Sequence, residues 1–136
     1  MRKRLLSITL TLCMILTLLP TVAFAATDYG IWVGTVKVTS DNVSNVLGNG
    51  TVSYNAADNT LTLTNARITA ESFDNTKSKG FISSESGDLR IWLSGSNTVE
   101  VSSVTDPNSG FCGIYAGGKV SIRGAAGTSL SAVSTS

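Results

Sequence analysis

Gly87-Asp88-Leu89-Arg90-Ile91-Trp92-Leu93-Ser94-Gly95-Ser96-Asn97-Thr98-Val99 is the stretch on which the reading of this chain turns. Leu89, Ile91 and Leu93 alternate with Arg90, Trp92 and Ser94, the period of a strand with one apolar and one polar face, between two glycine turns. The pattern returns at Gly118-Lys119-Val120-Ser121-Ile122-Arg123-Gly124, where Val120 and Ile122 follow Leu89 and Ile91 by 31 residues. Upstream, in Asn59-Thr60-Leu61-Thr62-Leu63-Thr64, Leu61 and Leu63 precede the same pair by 28 residues. Leu130 and Ala132 follow Val99 and Val101, again by 31. One strong strand every thirty residues or so is the mark of stacked repeats. The expected fold is therefore all-β, a right-handed parallel β-helix (solenoid) of few coils. Leu61, Leu89 and Val120 would form one interior ladder, and Leu63, Ile91 and Ile122 the next.

The first residues are of another kind. Arg2, Lys3 and Arg4 precede an apolar run from Leu5 to Leu19, and Ala23-Phe24-Ala25 supplies the small residues a signal peptidase reads. Residues 1–25 are thus expected to be a signal peptide cleaved after Ala25, and the product to be secreted or held at the cell surface. An apolar run of 15 residues falls short of the roughly 20 that a membrane span needs, so contact with membrane is expected only through the cleaved leader. Cys13 is followed by further apolar residues and does not fit a lipid-anchored first residue.

Beyond residue 25 the chain carries seven basic and nine acidic side chains, so the excess positive charge of the whole sequence belongs to the leader. No charge run or interleaving of basic and aromatic residues points to nucleic acid. Cys112 is the only cysteine left, which rules out an internal disulfide. With no histidine in the chain to activate it, it reads as a small apolar residue. No metal or cofactor is implied.

Two parts are expected after the leader. Residues 26–68 hold a strand from Ile31 to Val38, with Trp32 on the same face as Val36 and Val38 and so a plug in the core. Ser40-Asp41 reads as an N-cap for one or two helical turns from Asn42 to Leu47, ended by Gly48. A β-hairpin follows, Thr51–Tyr54 and Thr60–Thr64 about a polar turn at Asn55–Asn59. That turn is also a weak candidate for calcium, because Asp58 is its only carboxylate and Ca²⁺ takes 6 to 8 oxygens. Residues 69–136 would be the coils. They stop at Ser136 with no capping segment, as in the truncated front piece of a larger protein, with further coils or domains absent from this chain as partners.

Four phrases carry a family resemblance: Tyr29-Gly30-Ile31-Trp32-Val33-Gly34-Thr35-Val36-Lys37-Val38-Thr39-Ser40, Val46-Leu47-Gly48-Asn49-Gly50-Thr51-Val52-Ser53-Tyr54-Asn55, Asn59-Thr60-Leu61-Thr62-Leu63 and Gly113-Ile114-Tyr115-Ala116. They resemble the opening of secreted, carbohydrate-binding-domain-like parallel β-helix proteins common in Firmicutes. The resemblance implies an extracellular module and a glycan ligand, and brings no catalytic set with it.

With Leu89, Ile91 and Leu93 turned inward, Arg90 and Trp92 face outward, and an exposed indole is a flat surface on which a sugar ring can stack. The 31-residue offset sets Arg123 beside Trp92, so a structural cation–π pair is the competing reading. Tyr115 is a further candidate. Expected is a non-enzymatic glycan-binding module using Trp92, Arg90, Tyr115 and Arg123, with a polysaccharide or surface glycan as partner. The alternative is a structural or adhesive piece of a larger surface protein with no ligand of its own. A polysaccharide-degrading enzyme is the third reading; Glu85, Asp88 and Glu100 are its carboxylates, but no acid–base motif surrounds them.

Overall fold

A computed structural model describes residues 2–17, 24–70, 80–101 and 112–134. An N-terminal helix, α1 (Arg2–Thr17), is followed by β1 (Asp28–Val33), β2 (Val36–Thr39), β3 (Val52–Asn55), β4 (Thr60–Thr64) and β5 (Arg67–Ala70). Then come β6 (Gly80–Ser84), β7 (Leu89–Ser94), β8 (Ser96–Val101), β9 (Cys112–Ala116), β10 (Val120–Gly124) and β11 (Ser129–Ser134). The side chains described on α1, Leu6, Ile8 and Leu10 among them, are exposed, so packing on the sheets does not hold this helix. Among the described residues no helix is long and apolar enough to cross a membrane.

The strands form three sheets, ordered β2-β1-β6-β9, β10-β7-β4-β3 and β11-β8-β5. The first is antiparallel except for β6–β9, and the second is parallel except for β3–β4. The third is parallel throughout. This corrects the expected right-handed parallel β-helix with its N-terminal hairpin and helical cap: the sheets are mixed and parallel, and none forms a solenoid. Alternation in a sequence tells which face of a strand is buried, but not its neighbour or the sense of pairing.

Register departs from the expected ladders too. Leu61 lies opposite Ile91, 30 residues on, and Leu63 opposite Leu93, rather than Leu89 and Ile91. Ile91 lies opposite Ile122 and Leu93 opposite Gly124. In the third sheet Val99 pairs with Ala132 and Asn97 with Leu130. The offset is therefore not uniform, because the connections between paired strands differ in length.

Inward residues of all three sheets meet in one buried cluster. Val33 and Ile82 come from the first sheet, Tyr54, Leu61 and Ile91 from the second, and Ile68 and Val99 from the third. Burial of an aliphatic side chain contributes about 1.5–3 kcal/mol, so this cluster is the main source of stability. Burial fades at β10, where Val120 and Ile122 remain 45% and 46% exposed although their partners Leu89 and Ile91 are buried.

The single strand expected from Ile31 to Val38 is two strands. Gly34 has φ of +62° and Thr35 does not share that sign, as in a type II′ turn between Val33 and Val36. The reversal changes the phase, so Ile31 and Val33 are buried with Val38, and Trp32 is half-exposed. The expected helix at 42–47 is instead a run of turns. The Ser40 hydroxyl accepts the Thr27 amide at 3.0 Å and so extends the ladder rather than capping a helix. Asn42 reaches back to Thr39 N and Lys37 O. The freed backbone pairs with β3, Val46 N with Val52 O and Tyr54 N with Val43 O. Asparagine side chains that satisfy nearby backbone groups compete with helix in this way.

The outer ends of β1 and β2 are joined by Lys37 and Asp28, 2.6 Å apart. Hydrogen bonds from Lys37 and from the Gly30 amide hold the Asp28 carboxyl below the ordinary carboxylate range. A lowered folded-state pKa contributes stability above the unfolded value, and that contribution is lost as pH falls through the lowered one. Both partners are well exposed, so the effect is small. In urea titrations between about pH 5 and pH 2, Asp28→Asn should lose less stability than the parent on acidification; equal losses would refute the assignment.

Candidate functional site

The outer face of the second sheet is polar because the alternating partners of its buried residues are Thr, Ser, Arg and Trp. Cross-strand register sets Ser53, Thr62, Trp92 and Arg123 in one row, and Thr60, Arg90 and Ser121 in the next. The two guanidinium groups thus flank an indole that is 45% exposed. An open groove of about 630 Å³ runs along this face, lined by Thr60, Asp88, Leu89, Arg90, Ile91, Trp92, Lys119, Ser121 and Arg123.

One end of the groove is tied by loop contacts. Asp88 Oδ1 accepts the Lys119 amide at 2.8 Å, and Asp88 O accepts Asn59 Nδ2 at 2.6 Å. Asn59 has φ of +56°, a left-handed conformation that asparagine tolerates, and its Oδ1 accepts the Tyr54 hydroxyl at 2.8 Å. Arg90 Nη1 donates to Asp58 O at 3.2 Å. The Asx oxygens of this turn are thus committed to the protein, Asn55 Oδ1 included, which accepts Ala57 N at 3.0 Å. Burial and the nearby Tyr29 and Asp58 push the Tyr54 hydroxyl above its ordinary pKa.

Three of the four residues singled out from sequence, Arg90, Trp92 and Arg123, meet at this face. Tyr115 does not. It lies on β9 in the first sheet, opposite Ser83, which in turn lies opposite Trp32. The cation–π contact found among the described residues is Lys37 over Trp32, 5.2 Å from the ring centroid, and not Arg123 over Trp92. Trp32 Nε1 also donates to Glu85 Oε1 at 2.8 Å. Lys119 and Asp88 were missed as groove residues. Extending the 31-residue offset from Leu89 back to Asp88 would have found both.

The carboxylates considered for acid–base chemistry all have structural partners: Glu85 with Trp32, Asp88 with the Lys119 amide, and Glu100 with Arg67 at 2.6 Å. That last pair raises the pKa of Arg67. On β9, desolvation pushes the Cys112 thiol up, the direction opposite to an activated nucleophile. What the groove offers is a stacking surface, hydroxyls and unpaired cations, a set suited to recognition. Comparison with family models, curated proteins and solved structures finds no match to this chain.

Proposed function

We propose that the chain is a secreted or cell-surface, non-enzymatic glycan-binding module that takes its ligand on the Trp92 face. The observation that carries this is the exposed indole between Arg90 and Arg123 on a regular sheet face, over an open groove. The apolar face of a sugar ring stacks on the indole while its hydroxyls meet guanidinium, Thr60 and Ser121 groups. Export is supported by the basic start, apolar run and Ala-Phe-Ala signal at residues 2–25, and by an α1 whose described apolar side chains are unpacked. The resemblance to secreted carbohydrate-binding-domain-like proteins points the same way.

Affinity electrophoresis in gels containing a panel of polysaccharides tests the reading. Retardation by at least one polymer is expected. Trp92→Ala should weaken it at least about tenfold, as for an aromatic anchor at the centre of an interface, and Tyr115→Ala, on a different sheet, should leave it within about twofold. No retardation by any polymer, or retardation untouched by Trp92→Ala, would refute the reading.

A second reading is favoured by the half-exposed Val120 and Ile122 on the edge strand β10. Unpaired edges with apolar side chains recruit protein partners, so the chain would be a structural or adhesive piece. A monodisperse monomer by light scattering up to high concentration argues against it.

A further inference from the structure

We propose that the groove beside Trp92 selects an anionic glycan, one with carboxylate or sulfate groups on its rings, over a neutral one; this rests on the glycan reading above. Beyond residue 25 the described cations are Lys37, Arg67, Arg90, Lys119 and Arg123. The two outside the groove are ion-paired, Lys37 with Asp28 and Arg67 with Glu100. The three that line the groove have no carboxylate partner among the described residues. Since acidic side chains outnumber basic ones over residues 26–136, three unpaired cations in one groove are a local positive field on a chain of opposite overall sign.

The remaining groove charge is small. Asp88 is the one carboxylate in its lining, and its Oδ1 is engaged by the Lys119 amide. Arg90 spends one N–H on Asp58 O, which steadies the guanidinium and leaves its other donors for a ligand. Arg123 stands opposite Trp92 on the adjacent strand, and neighbouring strands are about 4.8 Å apart. A ring stacked on the indole therefore carries its substituents within reach of a planar fork that matches carboxylate or sulfate with two parallel hydrogen bonds. A nucleic acid would share the charge, but one exposed indole does not make the series of platforms on which successive bases stack.

The test is affinity electrophoresis of the full chain in polygalacturonate, its methyl ester, chondroitin sulfate, its desulfated form, neutral dextran, and single-stranded DNA. Binding of the charged forms at least about tenfold tighter than the methyl ester and dextran is expected, weakening as salt rises from about 50 to 500 mM. Arg90→Gln with Arg123→Gln should abolish that preference while keeping weak retardation that depends on Trp92. Equal retardation by polygalacturonate and its methyl ester would overturn the charge selectivity and leave the glycan reading standing. Retardation by none of the polymers would remove both, and DNA bound as tightly as the charged glycans would overturn the selectivity for sugar.

Discussion

Replacing Asn97 by leucine is expected to cost about 2–4 kcal/mol, read as a fall in the urea midpoint with an unchanged slope. Asn97 is completely buried, the only asparagine in the described core. Its Oδ1 accepts the Ala66 amide at 2.9 Å, and its Nδ2 reaches Ser94 O, Gly95 O and Ser129 O, each at 3.2 Å. One side chain thus ties the start of β5, the β7–β8 turn and the start of β11. Leucine fills the space but orphans the Ala66 amide, itself buried and without access to water. Ser94 O and Gly95 O keep the amides of Asn65 and Ser129, which bounds the loss.

Asn97→Asp separates polarity from packing. The new carboxyl would still accept from Ala66 N but would face three carbonyl oxygens, so its folded-state pKa should rise. A raised pKa means stability that is present at low pH and lost as pH rises. The deficit of Asn97→Asp should therefore shrink on acidification, and one independent of pH would refute this account. Nearby, Gly95 has φ of +68°, and an added Cβ would fall against Asn65 Oδ1 and within 2.8 Å of its Cγ. That Oδ1 accepts the Ser96 amide at 3.1 Å.

Leu61→Ala and Ile122→Ala should differ by a factor of at least two in cost, although both stand in one cross-strand row. Leu61 is fully buried between Tyr54 and Ile91, and truncation there leaves a cavity, costing about 2–5 kcal/mol. Ile122 is half-exposed, so only part of its transfer free energy is at stake, about 1 kcal/mol. Chemical denaturation of the two variants decides the matter. Equal losses would mean that the β10 edge is covered in solution and would favour the protein-partner reading.

The candidate site was largely legible in the sequence because its geometry is that of one strand and its neighbour. Period-two alternation separates Leu89, Ile91 and Leu93, all buried, from Arg90 and Trp92, both exposed. The 31-residue spacing set Arg123 opposite Trp92, the pairing seen between β7 and β10. Tyr115 and Trp32 were misplaced for different reasons. Tyr115 lies on another sheet, and nothing local to Gly113–Ala116 says which sheet its strand joins. Trp32 was assigned inward because Gly34-Thr35 was read through as strand, whereas a turn there inverts the phase.

The sequence by itself determined that the chain is rich in short strands, which side chains of the central strand are buried, and that three cations are spaced to meet Trp92. These are properties of alternation and offset, set by backbone geometry within one strand or between two. Only the tertiary structure decided that the strands form three mixed sheets, that Leu61 meets Ile91 instead of Leu89, and that Asn97 joins three chain segments from inside the core. Pairing sense and register depend on which distant edges meet and how long the connections are, and a buried amide is justified only by backbone groups that the fold brings to it. The same holds at Arg90, Lys119 and Arg123, where the ion pairs formed elsewhere show which cations are left for a ligand.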